Sequence, residues 1–174
     1  MQILSESVIH FPIEHVYATY RDRLPEIAPY MQDIREIKVI SRVDRPDGAD
    51  LLNRWFAQTE LPKVAQGIVK PEWMQWDDHA RWDDTAQHVD WRLELPALKD
   101  QVRCSGRNSF TAVEGGTRVR LEGTLDLDLR KIPGVPGFMA KRIQPQVEKF
   151  IVRLITPNLE KVNASLERFL EADA

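Results

Sequence analysis

The last third of the chain carries the pattern that most constrains the fold. Between Pro136 and Leu170, apolar residues recur every three or four positions, as in an amphipathic helix that buries one face. Such a helix would be roughly 50 Å long at 1.5 Å per residue. Pro145 and Pro157 fall inside it, and each removes a backbone hydrogen bond, so we expect a bend or a break near both. The apolar stripe consists of Ile143, Val147, Phe150, Ile151, Leu154, Ile155, Leu159, Val162, Leu166, Phe169 and Leu170.

The residues before this helix alternate with the period of β-strands. A first strand is predicted over 2–10, and two short helices follow, beginning at Pro12 and at Leu24. Residues 36–43 alternate apolar and polar side chains, which predicts a half-buried strand. Further strands are predicted over 51–60, 73–82, 87–95, 101–113 and 117–129. The pattern predicts an α+β fold, in which a curved antiparallel sheet of about six to seven strands wraps around the long helix and leaves a hollow between them.

Length, charge and cysteine content narrow the functional classes. The chain has 174 residues and a formal net charge of −3, so we expect a single domain, 1–174, with no field that would attract nucleic acid. The one cysteine, Cys104, rules out an internal disulfide and a multi-cysteine zinc site. No leader peptide and no apolar run of about 20 residues is visible, which predicts a cytoplasmic protein without a transmembrane segment.

One predicted hairpin places a carboxylate among tryptophans. A turn centred on residues 84–85 would set Asp77 opposite Arg92 and His79 opposite Asp90, whereas a slip of one residue on each strand would bring like charges together. We therefore expect the first register. In both registers the opposite face is aromatic and contains one carboxylate, and it carries Met74, Trp76, Asp78, Ala80, Trp82, Val89, Trp91 and Leu93.

Two sequence segments and the order of elements resemble a known superfamily. Residues 6–17 read ESVIHFPIEHVY, and residues 159–170 read LEKVNASLERFL. Both segments, and the order strand, two short helices, six strands and long helix, resemble the START or Bet v 1-like (SRPBCC) superfamily, the helix-grip fold. The first segment is similar to polyketide cyclase-like and coenzyme Q-binding-like members, and residues 55–62 are more weakly similar to PRELI-like lipid carriers. The resemblance implies an apolar cavity between sheet and helix that holds lipids, sterols, quinones or polyketides.

The inward faces supply the candidate ligand-binding residues. Large aromatic side chains also fill ordinary cores, so a packed interior is the alternative to a cavity. The inward face of strand 51–60 stays open, because both alternating sets contain apolar residues. The candidates are Trp55, Trp76, Asp78, Trp91, Cys104, Asn108, Phe110, Leu125, Phe150 and Leu154.

Three of these candidates carry polar or reactive groups. An unpaired Asp78 between tryptophans would have a raised pKa and could act as a general acid or base, or hold a ligand hydroxyl. The alternative is that Asp78 bonds a neighbouring strand or lies at a wet cavity mouth. Asn108 would orient a ligand carbonyl or satisfy a backbone group beside Gly106. Cys104 is interpreted as a small buried apolar residue.

The histidines and the segment 61–71 give no indication of a cofactor or metal site, so we expect neither. His79 and His88 lie beside acidic residues, a combination that can hold a metal, but ion pairs account for them. Residues 61–71 are interpreted as a lid over the cavity mouth or as a plain surface connection. The aliphatic side chains in that segment would otherwise mark a dimer contact or a transient membrane contact. Both a monomer and a homodimer are compatible with these features.

Three functions are compatible with this sequence. The first is the binding or transport of a hydrophobic small molecule such as a lipid, quinone, sterol or polyketide-like compound. The second is a polyketide cyclase or dehydratase that uses the same cavity, with Asp78 as acid or base. The third is an interaction module whose interior is filled by its own side chains.

Overall fold

The computed structural model describes residues 1–58, 74–96, 99, 101–128, 131 and 137–173, without the side chains of residues 147 and 150–160 in the last helix. The strands are β1 (Gln2–Ile9), β2 (Ile34–Arg45), β3 (Gly48–Ala57), β4 (Gln75–Asp83), β5 (His88–Glu94), β6 (Val102–Val113) and β7 (Gly116–Leu127). The helices are α1 (Ile13–Asp22), α2 (Leu24–Ile27), a 3-10 turn (Ala28–Tyr30) and α3 (Gly137–Asp173). The predicted lid, 61–71, lies outside the described residues.

The seven strands form one antiparallel sheet in the order β1-β7-β6-β5-β4-β3-β2. This arrangement confirms the predicted α+β helix-grip architecture, including the two short helices after the first strand. Helix α3 makes its main contacts with β1 and β7, at one end of the sheet. The tryptophan-bearing strands β3, β4 and β5 lie towards the other end of the sheet, where α2 and the 3-10 turn contact the edge strand β2.

Helix α3 follows the predicted amphipathic pattern. It is one continuous helix from Gly137 to Asp173, so the alternative of a break near Pro145 and Pro157 was wrong. The predicted apolar stripe is buried wherever its side chains are described, at Ile143, Val162, Leu166, Phe169 and Leu170. None of the described helices is long and apolar enough to cross a bilayer.

The inward face of β3, which the sequence left open, is settled by burial. The buried set alternates along the strand, as expected for a sheet with one covered face. Phe56 lies on the other face, where the guanidinium of Arg35 is 5.3 Å from its ring centre. The inward set is Ala49, Leu51, Asn53, Trp55 and Ala57.

The predicted register of the β4–β5 hairpin was wrong by two residues. Arg81 lies opposite Asp90, and His79 lies opposite Arg92 rather than Asp90. The turn is longer than expected and spans residues 84–87, in which Gln87 has a left-handed conformation with φ 49°. A shift of two residues preserves the facing of every side chain. The predicted inward face of this hairpin is therefore confirmed.

The prediction of a half-buried β2 was also wrong beyond Ile37. Val39, Ile40 and Val43 are 44%, 47% and 60% exposed. Strand β2 is the edge of the sheet and pairs only with β3, and its register shifts between Val39 and Ser41. A register shift of this kind moves side chains off the alternating pattern. The alternation of the sequence reveals neither the edge position of β2 nor its register shift.

Candidate functional site

A cavity of about 70 Å³ lies between the inner face of the sheet and the helices. Strands β3 to β7 supply most of the wall, and one helical residue each from α1, α2 and α3 completes it. Its volume is enough for several water molecules. The lining residues are Tyr20, Leu24, Asn53, Trp55, Trp76, Asp78, Ala80, Trp82, Val89, Trp91, Leu93, Asn108, Leu121 and Val162.

The indole of Trp91 forms part of this wall because two glycines make room for it. Gly106 and Gly123 are neighbours on β6 and β7. A Cβ placed on Gly106 would lie 2.4 Å from Trp91 Cζ2, and one placed on Gly123 would lie 2.9 Å from Trp91 Cη2. The ring therefore occupies the space that two side chains would fill. Its Nε1–H donates a hydrogen bond of 2.8 Å to Asn108 Oδ1, which fixes the ring's orientation.

A second pair of indoles lies at the β3–β4 side of the cavity. Trp55 and Trp76 are directly opposite each other in the ladder. Their ring centres are 5.8 Å apart and their planes differ by 15°, an offset-stacked arrangement of the kind that aromatic pairs favour. The pair presents apolar surface beside Asp78, two residues further along β4.

Asp78 is the one acidic side chain that lines the cavity among the described residues. It is 8% exposed, and burial raises the pKa of its carboxyl group to about 6, although the Asn53 and Trp55 side chains that face it act in the opposite direction. Its Oδ1 has no hydrogen-bond partner, and neither have Asn53 Oδ1 and the indole nitrogens of Trp55 and Trp82, which also line the cavity. Four residues of the cavity wall thus carry a buried polar atom without a partner, whereas most buried polar atoms in proteins are paired.

Tyr20 approaches the same cavity from α1. Its hydroxyl oxygen accepts a hydrogen bond of 3.4 Å from Asn108 Nδ2. Burial, and after it the charge of Asp78, raise the pKa of Tyr20 above its usual value. The phenol therefore stays protonated at any physiological pH, and its O–H can donate to a bound molecule.

The structure brings together five of the predicted site residues: Trp55, Trp76, Asp78, Trp91 and Asn108 all line the cavity. Three others are buried in the core but do not contact it, namely Cys104, Phe110 and Leu125. The side chains of Phe150 and Leu154 lie outside the described residues.

Phe110 packs against other aromatic side chains and does not line the cavity. Phe110 packs edge-on against Tyr17, with 5.2 Å between ring centres, and stacks on Trp82 at 5.9 Å. The cavity wall at this point is therefore Trp82 rather than Phe110. Burial raises the pKa of the Cys104 thiol to about 12, which agrees with the interpretation of this residue as an inert apolar side chain.

Sequence reasoning missed two polar residues of the site, Tyr20 and Asn53. Tyr20 follows Val16 and Tyr17 at helical spacing, which indicates only a buried helix face. Asn53 was visible in the alternation of β3, but its face was open until the structure showed Trp55 and Asn53 on the same side.

The histidines of the hairpin lie outside the cavity, in pairs with carboxylates. His79 Nε2 is 3.6 Å from Glu94 Oε2, and His88 Nε2 is 3.5 Å from Asp90 Oδ2. Among the residues described, no three His, Cys, Asp or Glu side chains cluster as metal ligands would.

Comparison with known proteins identifies the fold. No family model and no curated protein matches the chain, but solved structures do. TTHA0849 from Thermus thermophilus is 25% identical, with 100% of this chain and 99% of that chain covered and a TM-score of 0.70. The Zhui aromatase/cyclase from Streptomyces sp. R1128 is 13% identical, with 98% and 95% covered and a TM-score of 0.63. A START superfamily protein from Mycobacterium smegmatis is 16% identical, with 99% of both chains covered and a TM-score of 0.52. The chain therefore has the START/Bet v 1-like, helix-grip fold that its sequence resembles.

Proposed function

We propose that this protein binds a mostly apolar small molecule in the cavity, with the polar group of that molecule directed at Asp78. The observation that carries the proposal is a set of unpaired buried atoms in a wall that is otherwise largely apolar, namely Asp78 Oδ1, Asn53 Oδ1, Trp55 Nε1 and Trp82 Nε1. Leaving a buried polar atom unpaired costs about 1–3 kcal/mol. A bound molecule would supply the missing partners.

The size of the cavity sets the expected affinity. Its volume of about 70 Å³ is below the roughly 300–1,000 Å³ of pockets that enclose drug-sized ligands, so it suits a headgroup or a single ring, and a longer ligand would extend beyond it. An aromatic ring that removes about 150 Å² of apolar area from water contributes roughly 4 kcal/mol before the entropy of association is subtracted. Because association itself costs about 4–15 kcal/mol, burial of the ring alone leaves at most very weak binding, and hydrogen bonds to the polar atoms of the wall must supply the rest.

Native mass spectrometry of freshly purified protein is the direct test, followed by denaturation and identification of whatever is released. A stoichiometric apolar adduct would support the proposal. In parallel, tryptophan fluorescence would be titrated with single-ring and polycyclic probes. Trp91→Ala should weaken the response, whereas Phe56→Ala, an aromatic deletion on the outer face of β3, should leave it unchanged. No adduct and no fluorescence response to any probe would refute the proposal.

A second candidate function is an enzyme that moves a proton in this cavity. It is favoured by one observation: a buried carboxyl group with a pKa of about 6 is suited to general acid–base work near neutral pH. The structural similarity to an aromatase/cyclase is in keeping with this role. The test is turnover of an accepted substrate by Asp78→Asn. Undiminished turnover in that variant would remove Asp78 from the reaction.

A further inference from the structure

Asp78 differs from its neighbours in having no cation beside it. Asp77, the preceding residue on the outer face, receives two hydrogen bonds from the Arg54 guanidinium, at 2.7 and 2.9 Å. Asp78 faces Asn53 and Trp55 on β3, Leu93 opposite it on β5, and Tyr20 on α1. None of these carries a positive charge. Within the described part of the chain, the cavity has no Lys, Arg or His in its wall.

The rest of the wall is suited to a positive charge. Four indole rings line the cavity, those of Trp55, Trp76, Trp82 and Trp91. The face of an indole attracts cations more strongly than that of any other side chain, and the attraction is greater where water is excluded. The one carboxylate of the described wall therefore lies among rings that themselves favour a cation.

The unpaired acceptors indicate what form the cation takes. Asp78 Oδ1 and Asn53 Oδ1 both lack a donor, and these two residues are direct partners across the β3–β4 ladder. A primary ammonium group carries three N–H donors, enough to reach both oxygens at once. A hydroxyl group carries one donor and would leave the carboxylate charge without compensation.

We infer that the cavity selects organic cations, namely a protonated amine on a small apolar or aromatic body, held between Asp78, Asn53 and the indole faces. This inference rests on the proposed function and specifies its ligand class. It also disfavours anions such as fatty acid carboxylates, because their charge would lie against that of Asp78 in a site of low polarity.

Three probes with one ring and nearly the same length test this selectivity: phenethylamine, 2-phenylethanol and phenylacetate. Their dissociation constants are measured at pH 7.5 by calorimetry and by tryptophan fluorescence. The amine should bind about tenfold or more tightly than the alcohol, since charge-assisted hydrogen bonds and cation–π contacts add to the same ring burial. Phenylacetate should bind most weakly.

Two matched variants test whether the charge of Asp78 causes the preference for the amine. Asp78→Asn keeps the shape of the side chain and removes its charge, so the preference for the amine should disappear while the alcohol still binds. Asp77→Asn removes the neighbouring outward charge and should leave the preference intact. Lowering the pH through about 6 should also reduce the preference, because Asp78 becomes protonated while the amine and Tyr20 do not change charge.

The outcomes separate this inference from the broader proposal. Equal binding of the alcohol and the amine, or an amine preference that survives in Asp78→Asn, would overturn cation selectivity and leave the ligand-binding function standing. Failure of all three probes to bind, together with the absence of any adduct in native mass spectrometry, would overturn both.

Discussion

Replacing Asp78 by asparagine should make the protein more stable at neutral pH. The carboxyl group is buried, and burial disfavours its ionised form, which is why its pKa is raised to about 6 in the folded state. In the unfolded chain the same group titrates at the ordinary aspartate pKa of 3.8. Above pH 6 the folded protein therefore holds an ionised group that the unfolded chain accommodates at no penalty.

The expected magnitude follows from the two pKa values. They differ by about two units, and one unit corresponds to 1.36 kcal/mol, so ionisation of Asp78 lowers the free energy of unfolding by about 3 kcal/mol at pH 7.5. The sign follows from proton binding. Between pH 4 and pH 6 the folded state binds more protons at this site than the unfolded state, and the contribution of Asp78 to stability falls as pH rises through that window.

Urea unfolding of wild type and Asp78→Asn at several pH values measures this effect. The variant should gain only a few tenths of a kcal/mol near pH 4 and about 3 kcal/mol at pH 7.5, since every other titrating group is common to both proteins. Asp77→Asn serves as the control, because loss of its ion pair with Arg54 should destabilise the protein by up to about 1 kcal/mol. A difference between wild type and Asp78→Asn that does not grow with pH would refute the account of a buried, unpaired carboxylate.

Two further predictions concern the packing of buried residues in the sheet. Gly106→Ala should destabilise the protein by about 1–3 kcal/mol in thermal or urea unfolding and shift Trp91 fluorescence, because its Cβ would meet backbone at 2.3 Å and the indole at 2.4 Å. Gly137→Ala, which meets nothing within 4 Å, should be neutral or slightly stabilising, and equal effects of the two would contradict the packing argument. Cys104, 2% exposed, should react with a thiol reagent only after denaturation, and rapid reaction of the native protein would show that the core opens there.

Local periodicity was sufficient to predict the fold. Each strand other than β2 alternates with one covered face, and the described parts of α3 bury the predicted stripe, because binary patterning and secondary-structure period agree along the chain. The prediction for β2 was wrong because the exposure of this strand depends on its position at the edge of the sheet. That place is a property of the whole sheet rather than of residues 34–45.

Part of the site was predictable because side chains alternate between the two faces of a strand. Asp78 and Trp91 were placed correctly although the hairpin register was wrong, because an error of two residues leaves every facing unchanged. Trp55 and Asn53 could not be placed, since both faces of β3 carry apolar residues. Tyr20 joins the site only through the packing of α1 on the sheet, and no spacing in the sequence reports that contact.

Binding of an organic cation should offset the loss of stability that the ionised Asp78 causes. If the ionised Asp78 serves to hold an amine, binding of the amine should restore part of the free energy of unfolding that ionisation of Asp78 removes. At a concentration 100 times its dissociation constant, phenethylamine would stabilise the wild type by about 2.7 kcal/mol.

Asp78→Asn, binding the amine about tenfold more weakly, would gain roughly 1.4 kcal/mol at the same concentration. The gap of about 3 kcal/mol between variant and wild type at pH 7.5 should therefore narrow by roughly 1.3 kcal/mol in urea unfolding with the amine. 2-Phenylethanol, at 100 times its own dissociation constant, should leave the gap unchanged, because its affinity does not depend on the charge. An equal gap with and without the amine would mean that the buried charge is compensated by something other than an organic cation.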